Sequence, residues 1–187
     1  MKYVSWVEKN RPNNINEICH QDEVKEGLRN FIENKNIPHL LFFGPSGSGK
    51  TSTIIAMAKE LFGVHYQDRI KELNASDERG INVVREKIKN YAQESINSND
   101  TKTHGLPPWK IIILDEADNM TSESQYALRR IMEEYSKITR FCIICNYHHK
   151  IIDPIVSRCS LFRFKPIPVL EIKNQLKFIC KKEKMKC

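Results

Sequence analysis

Eight consecutive residues, Gly44-Pro45-Ser46-Gly47-Ser48-Gly49-Lys50-Thr51, constrain this chain more than any other feature. Glycine, four residues, glycine, lysine and a hydroxyl residue form the pattern of a phosphate-binding loop, whose meaning depends on its flanks. An apolar run at residues 40–43 precedes it, and a good helix-forming stretch at residues 52–58 follows. Strand, loop and helix in that order are the context that confirms the motif. Gly44, Gly47 and Gly49 admit backbone conformations that a Cβ forbids. Their N–H groups can then converge on phosphate oxygens at a helix N-terminus whose dipole favours anions. Lys50 supplies a point charge for the terminal phosphates, and the Thr51 hydroxyl a ligand for Mg²⁺. The competing reading, a Gly/Ser-rich turn before a helix, leaves the spacing and both flanks unexplained.

The rest of the chain agrees with an α/β class and a mainly parallel sheet. Residues 111–114 and 141–145 are continuous apolar runs, as strands buried on both faces require. Shorter strands are expected at 70–73 and 161–164. Helical patterns lie between them: from Gln21 or Asp22 to 33, with Ile18, Val24, Leu28 and Ile32 spaced as one stripe; 82–94, with Val84, Ile88 and Tyr91; from Thr121 or Ser122 through Tyr135; a short helix or turn within 151–158; and 169–184, basic and amphipathic. Residues 2–12 read as an irregular arm, because Pro12 blocks a helix across it. Residues 97–108 read as a polar surface loop.

Asp115 and Glu116 directly follow the 111–114 run, at the carboxyl edge where a parallel sheet presents its ligand site. Asp115 there can hold Mg²⁺, while Glu116 polarises an attacking water and positioning supplies most of the rate. Asn146 ends the next apolar run, which puts its amide either in a turn or beside the terminal phosphate. Arg158, in the string VSRCS, reads from its neighbours alone as a solvated or ion-paired surface group. Arg85, Lys87 and Lys89, with Arg79 ahead of them, mark a basic face opposite the apolar stripe of the 82–94 helix, a pattern met more often in solvated helices than in bound ones. The string Asp115-Glu116-Ala117-Asp118 also occurs in helicases, but those carry two tandem nucleotide-type domains. A kinase would need an acceptor site and lid that no segment supplies.

The 187 residues suit one α/β domain with a small appendage. Lys and Arg number 30 against 23 Asp and Glu, giving a net charge of +7 and a pI near 9.1, a balance that favours a polyanionic partner. Six cysteines lie scattered through apolar segments with no secretory signal ahead, as reduced thiols do. Cys142 and Cys145 have metal-ligand spacing, yet residues three apart on a strand point to opposite faces. No apolar run approaches the roughly 20 residues of a membrane span, so no membrane partner is expected.

WVEKNRP, GPSGSGKT, ELNASDERGI, ILDEAD, ALRRIMEE, FCIICN and SRCSLFRFKP, in this order, resemble the small subunits of replication factor C, the eukaryotic clamp loader among the AAA+ ATPases. The resemblance covers nearly the whole chain. It implies an AAA+ nucleotide-binding domain at 1–165 and the beginning of a helical lid at 166–187, working with ATP and Mg²⁺. It implies that Val7, Arg11 and Pro12, with Ile18 and Gln21, line the adenine side of the pocket, and that Pro45, Ser46 and Ser48 complete the phosphate loop. Asn146 becomes the sensor of the terminal phosphate, and Arg158 an arginine finger acting in trans on a neighbour's ATP. Arg79, Ile81, Arg85 and Lys89 would face the phosphate backbone of primer-template DNA. The implied partners are the other replication factor C subunits of a hetero-pentamer, the sliding clamp PCNA and DNA, in the nucleus. A nucleotide-holding subunit with little hydrolysis is the alternative, against which the presence of both Lys50 and Glu116 counts. Asn10 stands where the family has Tyr, and Ser46 and Ser48 where it has Pro and Thr. The lid's later helices and the oligomerising collar lie outside residues 1–187.

Overall fold

The computed structural model describes residues 5–75, 81–94 and 105–185. Its frame is a five-stranded sheet of β1 (His39–Phe43), β2 (Ile70–Asn74), β3 (Lys110–Asp115), β4 (Thr139–Cys145) and β5 (Cys159–Arg163), in the spatial order β2-β3-β4-β1-β5. Every described pair is parallel. Parallel neighbours need crossover connections, and helices supply them. Helix α1 (Trp6–Lys9) and helix α2 (Asp22–Glu33) precede β1; α3 (Lys50–Phe62) and the short α4 (Tyr66–Arg69) lead to β2. Then α5 (Ile81–Gln93) precedes β3, α6 (Ser122–Glu134) joins β3 to β4, α7 (Asp153–Val156) joins β4 to β5, and α8 (Val169–Lys182) follows.

Strand alternation sorts the core into two layers. Leu40, Phe42, Ile111, Ile113, Cys142 and Ile144 meet Val24 and Leu28 of α2 and Ile54 and Met57 of α3. Leu41, Ile112, Leu114, Phe141, Ile143 and Cys145 meet Ile88 of α5, Leu128 and Met132 of α6 and Ile155 of α7. Each large apolar side chain so buried contributes roughly 1.5–3 kcal/mol, so these layers, more than helix propensity, hold the segments in place. Cys142 and Cys145 enter opposite layers. Burial raises both thiols, that of Cys145 to about 12.

The expected elements form within a residue or two of their expected bounds, with instructive differences. Both β4 and β5 start two residues early, because their neighbours set the register: Lys110 pairs with Thr139, and His39 with Cys159. The arm is not wholly irregular. Ser5 caps α1 by accepting from the Glu8 N–H at 3.3 Å, and the helix ends ahead of the Arg11-Pro12 step, where proline restricts the preceding residue. Ile18 lies outside α2, at the end of a 3₁₀ turn at Ile15–Glu17, and is buried in the core. Helix α8 buries none of its described residues, leaving Leu170 68% and Phe178 61% exposed. Of the expected loop at 97–108, residues 97–104 lie outside the described residues.

Candidate active site

The phosphate loop bridges β1 and α3, and glycine is required at two of its positions. Gly44 has a φ of 146°, and a Cβ there would stand 2.3 Å from the Phe164 carbonyl oxygen, a backbone atom that cannot swing away. Gly49, at φ 93°, caps α3 from the left-handed region, so the helix opens with its unpaired N–H groups at the loop. Because the sheet is parallel, the ends of β1, β3 and β4 arrive at one edge, and β4 lies between the other two. Asn146 therefore emerges between the loop and the acidic pair.

These elements enclose a cleft of about 320 Å³, lined by loop residues 46–52, Asp115, Glu116, Cys145 and Asn146. Lys50 Nζ donates to the carbonyls of Gly44 (2.8 Å) and Pro45 (2.9 Å) and to Asn146 Oδ1 (3.1 Å). Burial pulls the Lys50 pKa down, and the Asp115 carboxylate opposes that shift. The Thr51 hydroxyl donates to Asp115 Oδ2 at 2.6 Å, and the Glu116 N–H to Asp115 Oδ1 at 2.8 Å. A hydroxyl and a carboxylate in contact beside a lysine form a hard-oxygen pair suited to Mg²⁺. Glu116 sits at φ 53°, in the left-handed region, and its carboxylate accepts from Asn119 Nδ2 at 3.3 Å. Sequence reasoning passed over Asn119; its signal was its place three residues after the candidate base.

The structure thus brings Ser46, Gly47, Ser48, Gly49, Lys50, Thr51, Asp115, Glu116 and Asn146 together, with Gly44 and Pro45 shaping the loop. Gln21 does not line the cleft but clamps its wall. It is 4% exposed, and its amide donates to Ser48 O (3.3 Å) and Lys165 O (2.6 Å) while accepting from the Lys165 N–H (3.0 Å). Arg11 and Pro12 line a second groove of about 400 Å³ between the arm and α8, where Asn10 Nδ2 donates to Glu183 Oε1 at 3.4 Å. Lys89 is exposed on α5, beside Glu123 and Arg130 of α6. The expectations for Arg79, and for the side chains of Val7, Ile81 and Arg85, lie outside the described residues.

Arg158 is far from this cleft. It precedes Cys159, which pairs with His39 at the start of β1, whereas the loop leaves the end of that strand. Five residues of strand put roughly 16 Å between them. Arg158 sits at the amino edge with His39 and Arg140, around a hollow of about 460 Å³.

A parallel sheet with a phosphate loop after β1, an acidic pair after β3 and an asparagine after the strand between them defines a P-loop nucleotide-binding domain of the AAA+ class. Solved structures agree: Thermotoga maritima RuvB, in two variant forms, superposes with a TM-score of 0.72 at 16% identity, over 93% of this chain and 55% of that one. The family described as "DNA polymerase III, delta subunit" matches residues 20–168. Replication factor C subunit 2 of Saccharomyces cerevisiae is 53% identical over 97% of this chain and 53% of its own length. Subunit 4 of Homo sapiens is 54% identical over 99% of this chain and 51% of its own length, and the small subunit of Archaeoglobus fulgidus 54% identical over 97% and 54%. The chain belongs to the replication factor C small-subunit family of AAA+ ATPases, and it spans about half the length of these relatives.

Proposed function

We propose that the chain is the nucleotide-binding part of a clamp-loader subunit, which uses ATP binding and hydrolysis to place the sliding clamp PCNA on primer-template DNA in the nucleus. The observation that carries this reading is the placement of the candidate residues at two opposite edges of the sheet. Lys50, Thr51, Asp115, Glu116 and Asn146 share the cleft, while Arg158 stands at the opposite edge. A cation so placed cannot serve its own cleft and suits the terminal phosphate of a neighbour's nucleotide.

In this reading the loop N–H groups and Lys50 bind the β- and γ-phosphates, and Lys50 exchanges its carbonyl partners for phosphate oxygens. Thr51 and Asp115 would hold Mg²⁺, which neutralises developing phosphate charge when bound. Glu116, steadied by Asn119, orients the attacking water and takes its proton; Asn146 reports the terminal phosphate to Lys50. The basic face of α5, including Lys89, contacts DNA phosphates, so binding weakens with salt and ignores sequence. Residues 166–187 begin the lid, in keeping with the exposed apolar side chains of α8.

The test is ATP turnover by the chain alone and then with partner subunits, clamp and primed DNA. Lys50→Ala is expected to abolish nucleotide binding. Glu116→Gln should keep ATP bound and silence this site, and Arg158→Ala should slow the neighbour's site about 10³-fold or more. Robust turnover by the isolated chain, indifferent to Arg158, would overturn the reading.

A further inference from the structure

Arg158 is held, not loose. Its Nη1 donates to the Pro154 carbonyl at 2.6 Å and its Nη2 to Glu133 Oε1, in the last turn of α6, at 2.5 Å. The other oxygen of Glu133 lies 3.8 Å from Nη2 of Arg129, one turn back on the same helix. These contacts are unequal: the first is a charge-assisted hydrogen bond, the second only a loose ion pair. Arg129 Nε is moreover buried without a hydrogen-bond partner among the described residues. One carboxylate therefore stands between two guanidinium groups, one satisfied by it and the other short of an acceptor.

We propose that Glu133 parks Arg158 in the absence of a neighbour's nucleotide, and passes to Arg129 when Arg158 is drawn onto the neighbour's terminal phosphate. The inference rests on reading Arg158 as a finger acting in trans. A carboxylate against the guanidinium offsets its charge and repels an arriving phosphate, and transfer to Arg129 removes both obstacles at once. The side chains of Arg158 and Glu133 are 36% and 40% exposed. An ion pair that open to water is weak, as a reversible latch requires, and a multiply charged phosphate outcompetes it. Glu133 is thus a positioning residue that acts only through Arg158.

The experiment uses the assembled loader with clamp and primed DNA, this chain carrying Glu116→Gln so that its own site is silent, and the part of the turnover that Arg158→Ala removes reports its neighbour's site. Adding Glu133→Gln is expected to raise the neighbour's kcat/KM about two- to fivefold, the span that an exposed ion pair commands. The rise must vanish when Arg158→Ala is added, which a merely structural effect on α6 would not do. Glu133→Asp, which shortens the reach by one methylene, should give a smaller rise and serves if Glu133→Gln fails to fold. Unchanged or reduced turnover in a folded Glu133 variant would overturn the parking role and leave the finger intact. If Arg158→Ala alone left the neighbour unaffected, the finger reading would fall, and this inference with it.

Discussion

His39 has a use that its sequence context did not announce. Its Nδ1 accepts the Phe141 N–H at 3.1 Å, across the β1–β4 ladder. Burial, assisted by the nearby Arg140 charge, lowers its pKa from 6.5 to about 4. The folded protein thus resists a proton that the unfolded chain accepts, so stability is full above pH 6.5 and falls as the pH drops towards 4. The loss attributable to this ring is about 2–3 kcal/mol at pH 4.5. Urea midpoints at pH 7 and pH 4.5 should therefore differ less in His39→Gln than in the parent, the comparison between proteins cancelling the carboxylates that titrate in both. Gly44 makes the opposite contrast, because its need was written in the motif. Gly44→Ala should cost at least about 2 kcal/mol, since the clash is with backbone, and a melting curve would register it.

Among the elements, the strands and helices were legible because their apolar spacing is local and their period repeats, as in residues 111–114 and in Val24, Leu28 and Ile32 of α2. The clamp at Gln21 was not, because its partners lie 27 and 144 residues away. No pattern near Gln21 could disclose that its amide ties the phosphate loop to the segment leading from β5 into α8. Ile18 shares the spacing of the α2 stripe but lies ahead of that helix, in keeping with the expected start at Gln21 or Asp22, and packs into the same core. Gln21→Ala should strand the Ser48 and Lys165 carbonyls and the Lys165 N–H, for about 2–3 kcal/mol. That is roughly 5–10 °C in Tm for a domain of this size. Its nucleotide affinity should fall as well, because the loop loses its brace; titration calorimetry against a melting curve separates the two effects.

For the whole molecule, motif spacing alone disclosed one half of the candidate site, and the other half came only with the family resemblance. The loop, Asp115 and Glu116 carry motif spacing that speaks for itself. Arg158 does not: only strand order, with β5 beside β1, puts it at the edge opposite the cleft. That opposition has a geometric corollary. If one edge of a protomer completes the other edge of the next, the contact is head-to-tail and cannot be made by a two-fold axis. An open run of such protomers then holds one fewer complete site than it has members, with a bare cleft at one end and an idle arginine at the other. In a run that stays open, those two unmatched ends follow from the polarity of a single sheet.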